Sequence, residues 1–228
     1  MAAVFLLIFF LHTQPALSQV ISRERDIRTE QSYSLDMANL ILIAEQSASS
    51  EWKLKNNALA LINELLKQNK KNPEILNALE FLALEGTVNK NRINGKIINS
   101  YPDIRAKTAA CLGDYGGEEA KKILIRMLKA ETDTMVLTQA VYALSKTGVH
   151  AEDELVLIDM IRRTDTRYPN NLLAIAYLDA LEQYSEQQSG AVNLATRQCI
   201  YQISQGAYTQ PVKKKALLLL ENLNAYRE

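Results

Sequence analysis

Two stretches of this chain repeat one pattern, and that repetition limits the fold more than any other feature. Ile104 to Gly116 reads IRAKTAACLGDYG and Val136 to Gly148 reads VLTQAVYALSKTG. Both open on a branched residue, carry small or apolar residues at the fifth, sixth and eighth places, leucine at the ninth and glycine at the thirteenth. Weaker copies begin at Leu54 (LKNNALALINEL), Leu173 (LAIAYLDALEQY) and Val212 (VKKKALLLLENL). Counting each first residue as place 0, places 0, 4, 7, 8 and 11 fall on one arc of a helix that turns by about 100° per residue. One such helix has an apolar face and nothing to bury it against, so neighbouring copies must stack into a continuous core.

Each copy, a B helix, is preceded by a second amphipathic stretch, an A helix. The A stretches run Ser34 to Ser47, Pro73 to Glu85, Glu118 to Ala130, Glu152 to Arg163 and Gly190 to Gln205. Pro73 suits a first helical position, Asp103 and Asp133 suit helix starts, and Gly116-Gly117 and Gly148 suit helix ends. Only 5 prolines and 8 glycines punctuate 228 residues, and Ala, Leu, Glu, Lys and Gln abound. The fold class is all-α, one repeat domain from 34 to 228. With 47% hydrophobic residues the chain can fill a core unaided.

Residues 1–18 read as a signal peptide. Val4 to Leu11 is a short apolar run, followed by Pro15 and by Ala16 and Ser18, small residues where a signal peptidase reads. Cleavage near Ser18 leaves Gln19 first, a 19–33 extension, and an exported protein, periplasmic or secreted. The n-region carries no Lys or Arg, so a buried N-terminal helix or a misplaced start is the other reading. The run is too short for a bilayer, and no second one follows, which predicts no membrane span. Cys111 and Cys199 fall at small helical positions about two repeats apart, too far for a disulfide in an array where each unit touches only its neighbours; both are expected to be buried free thiols.

From Asp103 to Gly148, the I-R-x-x-x-A-A-x-L-G-x-x-G string and the intervening EEAKKILIRMLKAETD resemble the HEAT-like repeats first described in phycobilisome lyases. The two central copies match that pattern closely and the outer three loosely. The resemblance implies a right-handed α-solenoid of about five HEAT-like helix pairs. It also implies a ladder in which an Arg at the second B-helix place meets Asp of adjacent turns. Lys55, Arg105 and Lys213 hold that place, whereas Leu137 and Ala174 depart from it.

The same resemblance brings in enzymes, so the residues have to be tested for chemistry. His150 is the one histidine left after the leader, which removes His-Glu metal sites and His-dependent nucleophilic arrangements. Asp153, Glu154 and Asp159 cluster on one helix and suit an acid/base pair, but acids at a helix N-terminus read first as a solvated face. No phosphate-binding glycine loop occurs. The expectation is a non-catalytic scaffold or adaptor with no cofactor, no metal and no catalytic residue. The alternatives are a HEAT-like lyase or chaperone-type enzyme acting on a protein-bound small molecule, or a nucleic-acid binder. Lys plus Arg (26) equals Asp plus Glu (26), so no global field favours nucleic acid, and the short basic runs at 67–71 and 213–215 read as solvated faces. Another protein is the expected partner.

Two places are candidates for that contact. In each B copy, places 2 and 6 point away from the apolar arc, toward the side expected to be concave. The partner residues read there are Thr138, Tyr142, Ile175, Asp179, Lys214 and Leu218, with Tyr142, Ile175 and Leu218 as anchors. The second is an insertion loop over 86–100, where Asn94-Gly95 signals a type I′ hairpin and Lys90, Arg92 and Lys96 occur with no acid.

Overall fold

A computed structural model describes residues 35–164, 169–188 and 191–225. The expected leader (1–18) and extension (19–33) lie outside them. Contacts divide the chain into 1–42 and 43–228. Residues 35–48 form a helix, α1. Then follow α2 (Trp52–Lys67), α3 (Pro73–Leu84), β1 (Arg92–Ile93), β2 (Lys96–Ile97), α4 (Pro102–Tyr115), α5 (Gly117–Ala130) and α6 (Thr134–Thr147). The last four helices are α7 (Ala151–Thr164), α8 (Asn171–Gln187), α9 (Leu194–Gln205) and α10 (Gln210–Ala225). Among the described residues the protein is all-helical apart from one two-stranded hairpin, and no described helix is long and apolar enough to cross a membrane.

Within 43–228 the helices alternate between two layers. α2, α4, α6, α8 and α10 pack on one another in that order, as do α3, α5, α7 and α9, and partners such as α3 and α4 or α5 and α6 join the layers. Short-range chemistry places the ends. Asn72 caps α3 ahead of Pro73, Asp133 accepts from the Met135 and Val136 N–H groups, and Asn170 and Asn193 cap α8 and α9. Gly116, at φ +68°, ends α4 and leads straight into α5. Gly113 serves packing: a Cβ there would sit 3.0 Å from the Ala143 Cα and Cβ, so its absence lets α4 and α6 approach closely.

Ionic staples cross the core at the second B-helix place. Lys55 meets Glu85 at 2.8 Å and donates to the Ser47 carbonyl; Arg105 meets Glu131 at 2.6 Å and reaches the Glu85 carbonyl. The ladder stops there, because Leu137 and Ala174 have no charge to offer. Arg163 of α7 instead donates to the Leu128 and Glu131 carbonyls at the end of α5.

The acids of α7 require a correction. Asp153 and Glu154 are buried, not solvated. Asp153 pairs with Lys121 at 2.7 Å and accepts the His150 N–H, while Glu154 accepts the Asn193 N–H and the Thr196 hydroxyl. Each is committed to holding α7 to a neighbour in its layer. Of the three, Asp159 remains on the surface, paired with Arg163. Cys111 and Cys199 are both free and buried.

The insertion is a hairpin. β1 and β2 pair antiparallel, Arg92 opposite Ile97 and Ile93 opposite Lys96, around Asn94 (φ +49°) and Gly95 (φ +80°). Buried Asn99 staples its base, accepting from the Asn91 N–H and donating to the Asn89 carbonyl.

Candidate functional site

The exposed face of the even-numbered layer is a narrow stripe, because each inner helix is flanked by two others and lies on the odd-numbered layer. In α4 and α6 the solvent side carries Lys107, Ala110 and Asp114, then Gln139, Tyr142 and Lys146. Counted from Ile104 and Val136, these are places 3, 6 and 10. The stripe is therefore rotated away from place 2, toward places 3 and 10.

That rotation sorts the expected residues. Place 6 holds: Tyr142 and Leu218 are 40% and 49% exposed, and Asp179 is partly exposed. Place 2 is less open. Ile175 is half-buried, while Lys214 is exposed. Thr138 is a correction: expected on the solvent side, it is buried, with its hydroxyl donating to the Thr134 carbonyl at 2.6 Å. Place 2 faces the adjacent helix in the layer, and a helix between two neighbours hides that flank.

The residue the sequence reading missed is Lys215, at place 3. Its ammonium sits 2.8 Å from Asp179 and 2.6 Å from Glu182, tying α10 to α8. Desolvation pulls its pKa down, yet the hydrogen bonds and charges of Asp179 and Glu182 outweigh that and raise it. Tyr142 feels the same cluster: partial burial raises the phenol pKa, Asp179 adds to the shift and Lys215 opposes it. The phenol therefore stays protonated at neutral pH, a hydrogen-bond donor with an apolar ring. Three consecutive helices of the layer thus present Tyr142, the Asp179–Lys215–Glu182 cluster and Leu218.

Two open clefts border this stripe. One, of about 400 Å³, lies between α8 and α10 and is lined by Glu182, Ser185, Glu186, Leu219, Asn222 and Ala225. The other, of about 300 Å³, lies between α2 and α4 over Leu59, Ala60, Ala110 and Cys111. Lys107 closes its side by donating to Asn56 and lying over the Trp52 ring. Lys146 reaches back from α6 to Asp114 of α4. The Cys111 thiol pKa is pushed up to about 12 by burial and by Asp114, so it is protonated at neutral pH and a poor nucleophile.

These groups present hydrogen-bond donors, paired charges and apolar area on one exposed surface. Lys90, Arg92 and Lys96 are elsewhere, exposed on the hairpin. Comparison with protein-family models, curated proteins and solved structures gives no match to this chain.

Proposed function

We propose that this protein is a non-catalytic, protein-binding scaffold, built as a right-handed solenoid of five HEAT-like helix pairs and acting outside the cytoplasm. The observation that supports binding is the stripe from Tyr142 to Leu218, where aromatic and apolar side chains stand exposed beside a charge cluster and an open cleft. The packed layer beneath holds those side chains, so little ordering entropy opposes contact. Exposed aromatic and branched residues with fixed surroundings contribute most of the energy of such interfaces. The return of the Ile104 pattern at Val136 supports the repeat architecture, and the apolar run with small residues near Ser18 supports export.

The test begins with a photo-crosslinking amino acid at position 142 of the full chain in its own cells. One defined protein should be captured. Its affinity for Tyr142→Ala, Leu218→Asp should then fall by at least tenfold while helicity and melting are retained. Unchanged affinity in that folded variant would place the contact off this stripe.

A further inference from the structure

The even-numbered helices all begin on one edge, and a series of bonds fixes it. The Trp52 indole N–H donates to Asp103, and the Tyr101 hydroxyl to the Ser50 carbonyl, joining the starts of α2 and α4. Glu131 accepts both Arg105 of α4 and the Asp133 N–H that opens α6. Asn170 at the start of α8 donates to Thr134 of α6, and Asn171 accepts from Thr209 at the start of α10. The hairpin lies on this edge too, since it connects the end of α3 to the start of α4.

Along that edge isolated apolar side chains stand in solvent. Val88, Ile93 and Ile98 of the hairpin are 49%, 58% and 50% exposed, and Met135 and Leu172, in the first turns of α6 and α8, are 50% and 67% exposed. Between them lie Lys90, Arg92 and Lys96, with exposed Lys129 and Arg162 in the last turns of α5 and α7. Residues 86–102 contain no acid. Among the described residues, nearby carboxylates are engaged: Asp103 by Trp52, Asp133 by the α6 cap, Asp159 by Arg163, Glu85 and Glu131 in buried pairs. Glu51, at the start of α2, is exposed.

We propose that this edge docks peripherally on an anionic lipid surface, with Ile93 and Ile98 entering the interface and Lys90, Arg92 and Lys96 meeting headgroup phosphates. In the hairpin the exposed apolar side chains alternate along the sequence with Lys90, Arg92 and Lys96, a mixture that suits a planar and fluid surface needing no shape match. Docked this way, the chain leaves its Tyr142–Leu218 stripe, on a different side of the layer, open.

The experiment is flotation of the full chain with vesicles of phosphatidylcholine alone or mixed with phosphatidylglycerol. Retention is expected on the mixed vesicles, weak on phosphatidylcholine, and reduced by raised salt. Lys90→Gln, Arg92→Gln, Lys96→Gln should weaken it by about a hundredfold. Because Arg92 also donates to the Gly95 carbonyl, Lys90→Gln, Lys96→Gln is run beside it and should lose at least tenfold with the hairpin intact. Ile93→Ser, Ile98→Ser should lose binding that salt alone does not remove. The proposal is overturned if the wild-type chain ignores anionic vesicles, if all three variants bind as wild type, or if a position-93 crosslinker captures a stoichiometric protein and no lipid.

Discussion

Arg105 and Glu131 meet at two points, Nε to Oε2 at 2.6 Å and Nη2 to Oε1 at 3.3 Å, with both side chains 3% exposed. The carboxylate also accepts the Thr132 and Asp133 N–H groups. One buried pair thus joins α4 to the turn between α5 and α6. Removing one member of a buried pair leaves an uncompensated charge, which costs about 3 to 5 kcal/mol.

Arg105→Met should therefore lower stability by about 3 kcal/mol, the low end of that range because Glu131 keeps its backbone donors. Glu131→Gln should cost at least as much, since it leaves the Arg105 cation buried without a counter-charge and sets an amide N–H group where a carboxylate oxygen had accepted. The check is the urea midpoint at unchanged slope. Near-identical midpoints for Arg105→Met and wild type would mean that the pair contributes no net stability.

Gly86 and Gly95 offer a second comparison. Both have positive φ, +76° and +80°, but a Cβ on Gly86 would lie 2.6 Å from the Asn99 carbonyl oxygen, whereas one on Gly95 meets nothing within 4 Å. Gly86→Ala should cost more than about 2 kcal/mol, and Gly95→Ala only about 1 kcal/mol of backbone strain. Thermal melting of the two variants side by side decides it; equal losses would show that the base of the hairpin yields freely.

Alkaline pH should destabilise the protein through Cys111. Its folded pKa is raised from 9.0 to about 12, so above pH 9 the unfolded chain releases a proton that the folded chain retains. The unfolded state then binds fewer protons, and stability falls as pH rises. The contribution is fully present below pH 9 and is lost progressively toward pH 12, at up to roughly 1.4 kcal/mol per pH unit. Tyr177, whose pKa burial also raises, adds loss of the same sign above pH 10. Urea unfolding at several pH values should show a shallower decline for Cys111→Ala than for wild type; identical slopes would refute the assignment.

Much of the fold can be read from one-dimensional pattern. The spacing at Ile104 and Val136 places α4 and α6, Asn94-Gly95 yields the hairpin turn, and Asp133 and Pro73 sit at the helix starts expected of them. The site is less legible. Tyr142 and Leu218 are exposed on the stripe, but Thr138 is hidden and Lys215 replaces its sequence neighbour Lys214 in the charge cluster.

The division follows the range of the forces. Helix extent, caps and turn type arise from residues within a few positions of one another, so the order of amino acids settles them before any helix meets another. Outward direction depends on which flanks neighbouring helices cover. An apolar arc names the side of a helix that turns inward but not how far its borders are hidden, and Thr138 lies at such a border. Asp153 and Glu154 carry the same limit: a carboxylate in a first turn suits solvent as well as a buried partner. Only the arrival of Lys121 from α5, and of the Asn193 N–H and Thr196 hydroxyl at the start of α9, made burial of those two charges favourable.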